Sequence, residues 1–280
     1  MSRSFSDSPN VLFRAFVATV RRVSTGFVRV TLRGDDLAEL VPRGLDQRIK
    51  LLLPQGRYPD ELRHAFLAES DWRSRWRSVP LSERPAMRSY TIGEARPESR
   101  ELDIDFYVHA RPGPGSAWAL RAAVGDELLL SAPDRRLEQG THGVQWAPGA
   151  ARHVLIAGDE TAFPAIAGIV RSLAGDARTD VAIETGHADD AELVTRWSPQ
   201  AVVVERGDRR GGEALLEHVT EWAATHGSTA AAAGADFYAW CATESARVAE
   251  IRDVLARSGI DSDRIHVQGY WHDRERAGLA

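Results

Sequence analysis

The sequence predicts a two-domain α/β protein, an antiparallel β-barrel followed by a mostly parallel α/β domain. Three observations carry that expectation. The 280 residues are long for one core and comfortable for two. The first half is crowded with short strand candidates separated by Gly and Pro, which suggests a closed barrel. In the second half strands alternate with helices, the mark of right-handed βαβ units. The boundary is expected within Trp146-Ala147-Pro148-Gly149-Ala150, giving domains 1–148 and 149–280.

The strands of the first half are expected at Val11 to Ser24 and Phe27 to Arg33, with Gly26 turning between them. Further candidates are Arg48 to Leu53, Arg88 to Ile92, Leu102 to His109 and Glu127 to Ser131. Apolar and acidic residues alternate in Leu102-Asp103-Ile104-Asp105-Phe106, as a half-buried strand requires. Pro59 to Val79 reads differently: Leu62, Phe66, Trp72 and Trp76 among charges suggest helical turns on an insertion.

Beyond the boundary, strands are expected at His153 to Ala157, Val181 to Thr185, Ala201 to Glu205, Asp236 to Cys241 and Ile265 to Val267. Helices are expected at Ala162 to Ala174, Glu213 to Thr225 and Glu244 to Ser258. Ala230 to Gly234 reads as a loop or frayed helix end, and Asp189, Asp190 and Glu192 as a solvated helix start.

Composition excludes several classes of function. With 43% hydrophobic and 27% charged residues, neither disorder nor a fibre is indicated. The net charge of −5 argues against a nucleic-acid or anionic-membrane binder, so attraction for an anionic ligand has to be local. No apolar run approaches a membrane span and the first residues lack an apolar signal core, so a cytoplasmic location is expected. The one cysteine, Cys241, excludes disulfide frameworks and is expected to be a packing residue. No H-E-x-x-H or G-x-S-x-G occurs, so neither a protein-bound metal nor a serine-hydrolase elbow is expected.

Two clusters remain. In Arg88-Ser89-Tyr90-Thr91-Ile92, Arg88 and Tyr90 share one face of a strand while Ser89 and Thr91 share the other. An arginine can hold a phosphate, an aromatic can pack on a ring, and a threonine can meet a ring nitrogen. Gly113-Pro114-Gly115-Ser116-Ala117 follows the strand ending at His109. Its glycines let the backbone approach an anion, and Ser116 reads as the N-cap of a helix through Ala122.

The order and spacing of these clusters resemble the siderophore-interacting protein family, FAD-dependent ferric-siderophore reductases within the ferredoxin-reductase superfamily. Three further stretches carry the resemblance: Lys50-Leu51-Leu52-Leu53-Pro54, Gly158-Asp159-Glu160-Thr161-Ala162-Phe163-Pro164-Ala165-Ile166 and Gly269-Tyr270-Trp271. It implies a flavin-binding barrel followed by a nicotinamide-binding domain, with FAD as cofactor and NADPH or NADH as donor. Arg88, Ser89, Tyr90 and Thr91 would then hold the flavin, with Val108 and His109 beside it. Gly113, Gly115, Ser116 and Ala117 would meet its pyrophosphate. Thr161, free to cap the next helix, and Trp271 complete the cofactor set. Gly158, Trp240 and Glu244 would lie in the nicotinamide region. No G-x-G-x-x-G occurs, so that site rests on the resemblance. Arg206, Arg209 and Arg210 are candidates for a 2′-phosphate patch.

The substrate implied is a ferric siderophore. Lys50, the single lysine among 35 basic residues, stands where the family places a positive charge beside the flavin. Arg135 and Arg136 are candidates for a second charge. After Gly-Tyr-Trp the family usually has a basic residue; here stands His272, with Arg274 or Arg276 as substitutes. Every assignment is one of positioning, the cofactor doing the chemistry. Two other readings stay open. One is a flavin reductase with another acceptor, or with ferredoxin as donor or partner. The other is a non-catalytic siderophore-binding protein.

Overall fold

The computed structural model of the chain describes residues 10–68, 71–137, 143–173, 175 and 177–273. Two compact units emerge, one holding Phe27–Gln145 with the strand before it, the other Trp146 onward together with Ser24–Gly26. Trp146 belongs to the second unit because its ring packs edge-on against Tyr238 at 5.3 Å.

The first unit is a seven-stranded antiparallel sheet curled into a half-barrel. Its strands are β1 (Asn10–Arg22), β2 (Phe27–Arg33), β3 (Arg48–Leu53), β4 (Ala86–Thr91), β5 (Glu94–Arg96), β6 (Glu101–Tyr107) and β7 (Glu127–Pro133). They run in the order β4-β3-β7-β1-β2-β6-β5. The expected full closure is not made by strand pairing, since β4 and β5 are opposite edges of the ladder. The chain itself joins those edges: the Ile92 amide donates to Gln47 O at 3.1 Å and the Gly93 amide to Asp103 O at 3.0 Å. Alternation decides the faces. Val28, Val30, Leu32, Leu51, Ile104, Phe106 and Leu130 fill the inside.

The insertion folds as two short helices, α1 (Asp60–Ala68) and α2 (Trp72–Ser78). Leu62 and Phe66, and Trp72 and Trp76, are four apart and so share a helix face. That face forms a small second core with Leu52, Leu129, Met87 and Leu12 on the outside of the sheet. Asp71 caps α2 by accepting the Ser74 amide at 3.2 Å. A third helix, α3 (Pro114–Arg121), follows β6. β6 stops at Tyr107, so Val108 and His109 stand just past the strand rather than in it.

The second unit is a parallel sheet of β8 (His153–Asp159), β9 (Arg178–Thr185), β10 (Val202–Glu205), β11 (Phe237–Glu244) and β12 (Ile265–Trp271), ordered β10-β9-β8-β11-β12. The strand order reverses between β8 and β11, and sheets of this kind bind ligands outside the carboxyl ends of the strands at that point. Four helices accompany the strands: α4 (Phe163–Ser172), α5 (Ala188–Trp197), α6 (Glu213–Ala233) and α7 (Ser245–Arg257). The alanine run is not a loop. α6 continues through it and ends at Gly234, whose φ of 53° few other residues adopt. Asp190 is buried rather than solvated, accepting the Gly26 amide at 3.2 Å within the same unit.

Candidate functional site

β4 carries the first site. Arg88 and Ser89 are exposed, Tyr90 is half-buried and Thr91 is buried. The Arg88 guanidinium donates to Met87 O at 2.8 Å. The Tyr90 ring lies 4.4 Å from Phe106, which lies 5.5 Å from Trp118 of α3, so one aromatic stack sets β4, β6 and α3 together. Burial pushes the Tyr90 phenol up, keeping it protonated. The Thr91 hydroxyl is buried without a hydrogen-bond partner. A polar atom left in that state costs free energy, which a ligand group meeting it would recover.

α3 begins differently from the expectation. Its N-cap is Gly113, with no side-chain cap, and Ser116 lies inside the helix, its hydroxyl donating to Tyr107 O at 2.9 Å. The Ala117 amide is already used by Gly113 O at 2.9 Å. Pro114 has no amide, which leaves those of Gly115 and Ser116 as the ones the first turn cannot satisfy internally. A Cβ on Gly115 would fall 1.9 Å from the Tyr90 hydroxyl, whereas one on Gly113 would meet nothing within 4 Å. The backbone is open at Gly113, while at Gly115 the Tyr90 hydroxyl lies against it. Val108 packs on the barrel core, and His109 stands edge-on to Tyr107 at 5.0 Å.

Lys50 is exposed on β3 and its ammonium donates to the Ser89 hydroxyl at 2.6 Å. Partial burial, then the charges of Arg48 and Arg73, hold its pKa below the usual lysine range. Arg135 and Arg136 were expected to supply that company. Instead Arg136 pairs with Asp134, its Nε 2.9 Å from Oδ1, while Arg135 lies 3.7 Å from Glu39. Arg274 and Arg276 lie outside the described residues.

In the second unit the carboxyl ends of β8, β11 and β12 converge on Asp159, which is fully buried. It accepts from the Thr161 amide at 2.9 Å, the Thr161 hydroxyl at 2.5 Å, the Thr243 hydroxyl at 2.6 Å and the Trp271 indole at 2.7 Å. Thr161 therefore does not cap α4; it is itself held by the Asp159 cap of a 3-10 turn at Glu160–Ala162. Trp271 also lies flat enough against Gly211 that a Cβ there would be 2.5 Å from its ring. His272 is exposed, 3.5 Å from the Ser245 hydroxyl.

The nicotinamide-region residues find structural roles. Trp240 is fully buried between His266 and Tyr270, so its ring does not line the crevice. Glu244 caps α7, accepting the Ala246 amide at 2.8 Å and the Arg247 amide at 3.2 Å. Gly158 allows close packing: a Cβ would be 2.7 Å from Ala162 and 2.9 Å from Ala242 O. Arg206 is spoken for by two buried acids, Glu160 and, at 2.7 Å, Glu184, which leaves Arg209 and Arg210 as the exposed members of that patch. Burial lifts Glu160 to about 7, Arg206 drawing it back and Asp159 lifting it further. Burial also pushes the Cys241 thiol up to about 12, which makes it a packing residue. No metal-binding cluster of His, Cys, Asp or Glu occurs among the described residues, and none of their helices is long and apolar enough to cross a membrane.

Residues 16–137 match the family model of the siderophore-interacting FAD-binding domain, and residues 151–274 that of the siderophore-interacting protein. The chain belongs to the siderophore-interacting protein family. It is 27% identical over 256 residues to ferric vibriobactin reductase ViuB of Vibrio cholerae, covering 89% of this chain and 85% of that one. It is also 27% identical over 270 residues to the NADPH-dependent ferric-chelate reductase of Escherichia coli, covering 91% of each. A siderophore utilization protein from T. fusca shares the fold, with a TM-score of 0.70, 24% identity and coverage of 97% and 96%.

For this siderophore-interacting protein the first unit fits FAD. The unpartnered Thr91 hydroxyl and the start of α3, which no side chain caps, are what a flavin ring edge and a pyrophosphate need. Sequence reasoning did not find Asp159 as a hub, nor Arg48 and Arg73 as the neighbours of Lys50. An acid closing an apolar strand was the available signal for Asp159; α2 lies too far along the chain for Arg73 to have given one.

Proposed function

We propose that this siderophore-interacting protein is an FAD-dependent ferric-siderophore reductase that draws electrons from NADPH or NADH and frees iron as Fe(II) in the cytoplasm. Bound FAD would supply the redox chemistry, accepting two electrons from a nicotinamide and delivering them singly to two Fe(III) centres. The chain's own residues position. Thr91 offers its hydroxyl to the ring edge, Tyr90 supports the ring, and Arg88 with the Gly115 and Ser116 amides holds the phosphates. Lys50, on the same sheet face as Thr91, attracts the chelate. Hard oxygen ligands hold Fe(II) less tightly than Fe(III), so one-electron reduction loosens the complex and no side-chain acid or nucleophile is required.

The observation carrying this reading is the buried, unpartnered Thr91 hydroxyl on an edge strand, beside a lysine that no carboxylate among the described residues neutralises. The names of the relatives support the acceptor, and the E. coli relative's name supports NADPH as donor. The test is to load the protein with FAD, reduce it without oxygen, and mix it with ferric chelates beside a ferrous-iron trap. Flavin reoxidation matched by trapped Fe(II) is expected. Flavin that binds but stays reduced with every chelate would sink the acceptor assignment, and failure to take up flavin would sink the cofactor.

A further inference from the structure

The resemblance counts Trp271 among the flavin residues, but its contacts within the second unit give it a different task. Pairing between β11 and β12 is regular from Ala239–Ile265 to Thr243–Gly269 and then slips, so that Glu244 stands opposite Trp271 and Tyr270 is left unopposed. Bulges are uncommon between parallel strands, and they re-aim a side chain. Here the slip draws Trp271 back along the sheet. Its indole N–H reaches past the end of β11 to Asp159 of β8, at 2.7 Å. The strand order reverses between β8 and β11, the place at which such sheets take ligands.

Three contacts fix the residue. The Ser245 hydroxyl donates to Trp271 O at 2.8 Å. The indole serves a fully buried carboxylate whose four hydrogen bonds all come from uncharged donors. Withdrawing it would leave buried charge short of a partner. The third contact is Gly211, where a Cβ would lie 2.5 Å from Cζ2 and 2.8 Å from Cη2 of the ring. Gly211 is not in the left-handed region, so close approach and not conformation demands a glycine. It belongs to the loop from Arg206 to Gly212, between β10 and α6. Both ends of that loop are tied: the Arg206 amide donates to Thr185 O and the Gly212 amide to Glu184, each at 2.9 Å. Glu184 also accepts the Leu215 amide at 2.9 Å, so a carboxylate already fills the start of α6. An incoming phosphate is left with the loop's exposed side chains, Arg209 and Arg210.

We propose that Trp271 is a positioning residue of the donor site. Its ring, held by Asp159, sets the place of the Arg206–Gly212 loop, whose exposed arginines take the 2′-phosphate of the donor, and so sets a preference for NADPH over NADH. This rests on the reductase reading above. Trp271 acts through the loop and not on FAD, and Asp159 acts through Trp271.

The test uses the full-length, FAD-loaded protein, with NADP+ and NAD+ affinities from equilibrium dialysis and FAD affinity from flavin titration. Gly211→Ala drives a methyl into the ring. It is expected to weaken NADP+ roughly ten-fold and NAD+ by about two-fold at most, leaving FAD unchanged. In anaerobic reduction of the flavin by NADPH, the half-saturating concentration should rise in step while the limiting rate holds. Trp271→Phe lacks the two ring carbons that the methyl meets. Alone it should weaken NADP+ through loss of the Asp159 bond, yet joined to Gly211→Ala it should bind NADP+ more tightly than Gly211→Ala does. Equal losses for both nucleotides, no loss, or no recovery in the double variant would overturn the proposal while the reductase reading stands. Tighter NADP+ binding by Trp271→Phe would show that the ring fills the donor's own place, and a fall in FAD affinity would return Trp271 to the flavin; either overturns it. If the unaltered protein binds neither nucleotide while ferric chelates reoxidise its reduced flavin, the donor in the reductase reading fails and takes this role with it.

Discussion

Single atoms decide much of this site. Thr91 keeps a buried hydroxyl with no partner, so replacing it by valine, close in shape, removes a desolvation cost. Thr91→Val should raise the apoprotein's stability by up to about 1 kcal/mol while weakening FAD roughly ten-fold. Urea unfolding and flavin titration together check this; a loss of stability would show that the hydroxyl is satisfied. Gly115→Ala places a methyl 1.9 Å from the Tyr90 hydroxyl and 3.1 Å from its ring carbon. About 1–3 kcal/mol should be lost, with a large part recovered in the double variant with Tyr90→Phe, and a cycle showing no coupling would refute the contact. Glu160 supplies a pH dependence. Its native pKa is raised from 4.5 to about 7, so between those values the folded chain holds a proton that the unfolded chain has released. Stability should therefore fall as pH rises through that window, by up to about 1.4 kcal/mol per unit. Glu160→Gln should flatten the slope, measured by urea midpoints; an unchanged slope would assign it to another group.

Among elements, α2 makes the sharpest demand. Trp72 is its buried anchor, and Trp72→Ala should cost about 3–5 kcal/mol, visible in urea unfolding. A cost below about 1 kcal/mol would mean that the insertion is not docked. How well elements could be read follows from where their information lies. β6 was legible because apolar and acidic residues alternate along it, a local signal. α6 was cut short because alanines carry no amphipathic pattern, yet Ala230 is buried and alanine favours a helix. Ser116 looked like a cap because its type suits one, but Gly113 and Pro114 already start the helix. Lys50 could be singled out as the one lysine. The commitment of Arg206 to Glu160 and Glu184 could not be read, since both acids are distant in sequence and only the parallel sheet brings them together.

At the scale of the molecule, alternation of strands and helices was enough to separate two units, while closure of the first was not legible. The ladder ends at β4 on one side and β5 on the other, and Ile92–Gly93 joins those ends. The candidate cofactor strand is thus a sheet margin with main-chain groups turned outward. Margins of that kind are where one molecule can add its strand to another's, and a charged residue such as Arg88 is a common deterrent. A cofactor lying along β4 would be a second deterrent, serving as the missing neighbour. Flavin would then act as a solubility factor as well as an electron carrier. Stripped protein should scatter more light on standing than loaded protein, and Arg88→Val should widen the gap; equal scattering would show that the margin is already shielded. Shortage of flavin would then expose the β4 margin to pairing between copies of this chain.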